Sequence, residues 1–122
     1  MKNLFFALVI IASISSCTKD APANQRFLGT YNGTINYGSG SSQTSQQITA
    51  QSGNPSGIIL VSSTDNLNAT VSGNNFTVPF QSFSDGSSWT GSGYLSGNNI
   101  TIYLNYTDIN GNALSGTFSG TK

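Results

Sequence analysis

Two eight-residue stretches decide the fold: Val71-Ser72-Gly73-Asn74-Asn75-Phe76-Thr77-Val78 and Leu95-Ser96-Gly97-Asn98-Asn99-Ile100-Thr101-Ile102. Each places Ser-Gly-Asn-Asn between apolar residues and continues as apolar–Thr–apolar. A two-residue Gly-Asn loop suits the positive φ that tight β-hairpins need. With Gly73-Asn74 as the loop, Val71 faces Phe76, Ala69 faces Val78 and Leu67 faces Phe80, while Thr70 meets Thr77 on the other side. With Gly97-Asn98 as the loop, Leu95 faces Ile100, Gly93 faces Ile102, Gly91 faces Leu104 and Trp89 faces Tyr106. The opposite face then holds Tyr94 with Thr101 and Ser92 with Tyr103. One apolar and one polar face result each time, which is how burial fixes a strand register. Two copies of the motif are too few for a solenoid and indicate a recurring hairpin.

The next hairpin distinguishes two turns. A two-residue Asn110-Gly111 loop would set Leu104 against Thr117 and mix the faces. A three-residue loop, Ile109-Asn110-Gly111, opened by Asp108 and with Gly111 in the left-handed bulge position, keeps them separate. It sets Tyr106 against Leu114, Leu104 against Gly116, Ile102 against Phe118 and Ile100 against Gly120. Upstream, Phe27, Gly29, Tyr31, Gly33, Ile35 and Tyr37 alternate with polar residues in the same manner.

Extending this pattern predicts eight strands, near 26–37, 43–51, 57–62, 67–72, 75–82, 88–95, 99–107 and 113–121. The fold class is all-β. An eight-stranded antiparallel up-and-down meander can close its last strand onto its first and so remove both edges. The alternative is a two-sheet β-sandwich. The second face is Thr, Ser and Asn (Thr101, Asn105, Thr107, Ser115, Thr117, Ser119), whereas a transmembrane barrel turns apolar residues to lipid.

The amino terminus has another character. Met1-Lys2-Asn3 is a short positive start, Leu4 to Ile14 is nearly continuous apolar sequence, and Ser15-Ser16 precede Cys17, the only cysteine. The apolar run is short for a membrane span and fits a secretion signal over residues 1–16. Residues 17–25 read as a polar tether, leaving 26–122 as the folded domain.

Composition restricts the chemistry. Of 122 residues only 7% are charged, the formal net charge is zero, and there is no His. Glu is absent as well. The domain carries Arg26 and Lys122 against Asp65, Asp85 and Asp108. That leaves no basic footprint for nucleic acid, no Ser-His-Asp or Cys-His constellation and few zinc ligands. The three Asp all stand in turn sequences, which account for them, so a paired-carboxylate hydrolase is not expected. Asp108-x-Asn110-Gly111-Asn112 lacks the downstream acidic ligand of a calcium loop. No enzyme activity, metal or cofactor is expected. The inner face offers Tyr31, Tyr37, Phe76, Phe80, Trp89, Tyr106 and Phe118 either as a packed core or as the lining of a ligand cavity. On the outer face Tyr94 and Tyr103 are diagonal neighbours that could serve as a stacking platform for sugar rings or a protein partner.

Ile14-Ser15-Ser16-Cys17 resembles the bacterial lipobox. The resemblance implies that Cys17 becomes the acylated first residue and holds the protein to a membrane, since two or more chains anchor stably. Thr18 in place of Asp points to the outer membrane, and Lys19-Asp20 is similar to the export signal of Bacteroidota surface lipoproteins. Gly29-Thr30-Tyr31 and Gly120-Thr121-Lys122 resemble the first- and last-strand signatures of the calycin group, which includes lipocalins. Tyr31 and Lys122 would replace that group's Trp and basic residue. The resemblance implies a ligand-binding barrel.

Overall fold

A computed structural model describes residues 21–62 and 65–122; the expected signal, Cys17 and most of the expected tether lie outside the described residues. Eight strands succeed a short 3₁₀ turn, η1 (Gln25–Phe27): β1 (Gly29–Tyr37), β2 (Gly40–Ala50), β3 (Gly57–Val61), β4 (Leu67–Ser72), β5 (Asn75–Ser82), β6 (Ser88–Ser96), β7 (Asn99–Thr107) and β8 (Ala113–Thr121). They form a closed antiparallel barrel in chain order. The seam pairs β1 with β8, from Asn32 opposite Thr121 to Tyr37 opposite Gly116. The sandwich is thereby excluded.

The hairpin registers are the ones that face separation demands. Val71 pairs with Phe76. Leu95 pairs with Ile100, Gly93 with Ile102, Gly91 with Leu104 and Trp89 with Tyr106. Tyr106 pairs with Leu114, Leu104 with Gly116 and Ile102 with Phe118. Gly73 and Gly97 hold φ of 63° and 60°, and Gly111 holds 85° in the bulge of the last hairpin. Asp108 initiates that turn, its carboxylate accepting from the Asn110 and Asn112 amides at 2.9 and 2.8 Å.

Three expectations are corrected. The first strand does not begin at residue 26, and the tether does not run to residue 25. Asn24 is buried, its amide donates to Pro55 O at 2.9 Å, and its side chain donates to Gly57 O at 2.9 Å. Docking that segment turns Gln25–Phe27 into a 3₁₀ turn, so extended structure starts at Gly29. Second, β2 begins at Gly40, ahead of residue 43, because Gly38-Ser39 closes a tight hairpin in which Tyr37 opposes Gly40. Both faces of residues 40–45 are exposed, so hydrophobic alternation carries no signal there and backbone pairing with β1 sets the strand.

Third, Phe80 leaves the inner face. Between Val78–Gly91 and Gln81–Trp89 the β5–β6 register slips by one residue. Pro79 falls in the slip and has no N–H to give to a ladder. The bulge reverses the facing of the residues beyond it, and Phe80 stands 70% exposed. Gln81 repairs the edge: its side-chain carbonyl accepts from Asn68 N at 2.9 Å and its amide donates to Asn68 O at 2.8 Å.

Candidate functional site

An up-and-down meander sorts its loops between two ends. The segments joining β2–β3, β4–β5 and β6–β7 gather at one end, with η1 and the C-terminus. The loops joining β1–β2, β3–β4, β5–β6 and β7–β8 gather at the other.

The first end is closed. Phe27 is fully buried and meets the Phe76 ring edge-on, with centroids 5.8 Å apart. The Tyr31 hydroxyl donates to Phe27 O at 2.9 Å, and burial raises its pKa. Lys122 Nζ donates to Arg26 O and Leu28 O at 2.6 and 3.0 Å, satisfying carbonyls that the short turn leaves free. The same ammonium sits 5.3 Å from the Tyr31 ring centroid, within cation–π range. Arg26 hydrogen-bonds Asn74 in the β4–β5 turn. Inside this end the inward glycines are occupied by neighbours. A Cβ on Gly120 would lie 2.6 Å from the Phe118 ring, and one on Gly93 would collide with the Phe76 ring. Glycine here lets aromatic rings lie flat against backbone and fill the core.

The second end is open, with a cavity of about 200 Å³ at its mouth. One wall comes from four consecutive strands: Trp89 of β6, Leu104 and Tyr106 of β7, Leu114 and Gly116 of β8, and Ile35 and Tyr37 of β1. Trp89 and Tyr106 pack with centroids 4.6 Å apart at 45°. The facing wall combines Leu60 and Leu67 with Gln46, Ser62 and Asp65. Gln46 Nε2 donates to Val61 O and Gln47 O, both at 3.0 Å, which holds its side chain across β2 and β3. The indole N–H of Trp89 is buried without an acceptor among the described residues. Such a donor costs about 1–3 kcal/mol, so this wall is the least satisfied part of the interior.

Of the seven aromatic residues expected on the inner face, Tyr37, Trp89 and Tyr106 border the cavity. Tyr31, Phe76 and Phe118 belong instead to the packed core, and Phe80 is outside the barrel. The three cavity positions are set by height: each sits at the mouth end of its strand, where Phe83 of the β5–β6 segment packs against the core only half-buried, whereas Phe27 at the other end is fully buried. Leu104, Leu114 and Gly116 could have been found from the same pairings that located Tyr106. Asp65 could not, because its loop reads as turn chemistry alone.

Asp85 and Asp108 are engaged in their own turns. Asp85 accepts from Ser87 Oγ at 2.6 Å and from Ser87 N at 2.9 Å, and the hydroxyl contact in particular lowers its pKa. Asp108 is lowered chiefly by the Asn112 amide. Among the described residues, no three His, Cys, Asp or Glu side chains gather as a metal-binding group. On the outer surface Tyr94 and Tyr103 are 42% and 46% exposed on adjacent strands, Tyr94 opposite Thr101 and Tyr103 opposite Ser92.

In comparison with known proteins, no family model and no curated protein matches this chain.

Proposed function

We propose that the protein is a non-enzymatic, lipid-anchored envelope protein that takes a small apolar or amphipathic molecule into the mouth of its barrel. The observation that carries this reading is the contrast between a sealed end and a cavity of about 200 Å³ with one aromatic wall. A cavity of roughly 150 Å³ lined by apolar side chains accepts a benzene-sized guest. The volume therefore suits a single ring with a short substituent and is too small for a long acyl chain.

The anchor reading rests on the amino-terminal sequence, with Cys17 as the acylated residue and the outer membrane as its location. Asn24 packs against the β2–β3 loop, so the described chain enters the barrel at the sealed end. Two experiments test the proposal. Native mass spectrometry of protein purified from its own envelope should show a retained small molecule. Cys17→Ser should move the protein from the membrane fraction to the soluble fraction; a variant that still sediments after a salt wash removes the anchor. A second reading, a glycan- or protein-binding module, is favoured by the adjacent half-exposed Tyr94 and Tyr103. It requires Tyr94→Ala and Tyr103→Ala to abolish glycan-array or pull-down signals.

A further inference from the structure

The barrel separates its charges by end. Asp65, Asp85 and Asp108 stand on the β3–β4, β5–β6 and β7–β8 loops, all at the mouth. Arg26 and Lys122, the only cations among the described residues, lie at the sealed end, where Lys122 is occupied by the carbonyls of η1. None of the four mouth loops contains Lys or Arg.

The cavity repeats this polarity on a smaller scale. Its aromatic side is Tyr37, Trp89 and Tyr106, whose ring faces carry negative quadrupole potential. Across from them Asp65 is the one charged lining residue among the described residues, beside Gln46 and Ser62. Among the described residues no basic side chain lines the cavity, so a carboxylate or phosphate guest would meet a carboxylate without a counter-charge there.

We infer that the mouth selects small organic cations, primary or methylated amines carrying one apolar ring, with the ammonium group between Asp65 and the aromatic wall. This inference rests on the proposed cavity function and adds the charge of the guest. Two contributions differ in reach. Asp85 is exposed and Asp108 half-buried, and both act beyond contact, raising the local concentration of cations at the rim; salt screens that effect over about 10 Å. Asp65 borders the bound guest and determines the preference once the guest is inside.

The test uses the purified full chain, whose only tryptophan is Trp89, so that its emission reports the cavity. Titrations with 2-phenylethylammonium, 2-phenylethanol and phenylacetate compare cation, neutral molecule and anion of similar size. The ammonium should bind about tenfold tighter than the alcohol, with phenylacetate weakest, and high salt should narrow the gap. In Asp65→Asn the ammonium and the alcohol should bind alike. Equal affinities in the unaltered protein, or an ammonium preference that survives Asp65→Asn, overturns the selection for cations. Saturable binding of the alcohol in that case leaves the cavity function in place. Failure of all three probes to bind removes both.

Discussion

At the sealed end Gly93 and Gly120 have aromatic rings standing where a Cβ would go, while at the mouth a Cβ on Gly116 would come no nearer than 3.5 Å to Asn36 O and 3.6 Å to Tyr37 Cδ1. The same residue type on the same face of the same sheet thus serves opposite ends. Glycine makes way for rings that complete the core at one end, and it leaves space at the other. The cause is the stopper. Phe27 enters the sealed end from η1, and the inner rings pack beneath it. At the mouth the turns holding Asp85 and Asp108 are tied up in their own hydrogen bonds, and Phe83 packs against the core only half-buried.

Removing the stopper should break the contrast most completely. Phe27→Ala empties a fully buried ring site and should cost about 3–5 kcal/mol in denaturant unfolding. A loss below about 1 kcal/mol would mean that this ring does not close the end. Replacing the glycines is the next-largest change. Gly93→Ala should destabilise the fold by about 1–3 kcal/mol through overpacking against Phe76. Gly116→Ala meets ordinary van der Waals contacts and should change stability by less than about 1 kcal/mol while narrowing the cavity. Equal costs at both positions would show that the ends are packed alike.

Acid is the mildest probe. The folded pKa values of Asp85 and Asp108 lie below the ordinary 3.8, so their turn hydrogen bonds favour the folded state above that value. The contribution is lost as pH falls through the lower folded values. Amide resonances of Ser87 and Asn112 should titrate with midpoints below 3.8, while Phe27 and Asn24 at the sealed end should be unaffected. Midpoints at or above 3.8 would show that these carboxylates do not hold the mouth turns.

Much of the fold is legible in the sequence because hairpin chemistry is local. Gly73-Asn74, Gly97-Asn98 and the Ile109-Asn110-Gly111 loop set registers that the apolar alternation on either side confirms, and an even strand number permits the β1–β8 seam. Phe80 misleads because strict alternation assumes an unbroken ladder, and Pro79 interrupts it. The start of β2 is hidden because Gly40, Ser41 and Ser42 bury neither face. Of the site, facing is readable for Tyr37, Trp89 and Tyr106, but not their separation from Tyr31, Phe76 and Phe118. All six alternate alike, and only their position along the barrel axis differs.

The sequence by itself therefore determined the hairpin-linked strands and the facing of most side chains, since each depends on neighbours a few residues apart. The β1–β8 seam that excludes the sandwich came from the tertiary structure. Tertiary structure alone decided which end is sealed. That depends on Asn24 reaching Gly57, 33 residues on, and on Lys122 reaching Arg26, 96 residues back. Those contacts need the closed barrel to bring the ends of the domain together, and by sealing one end they confine the cavity to the other.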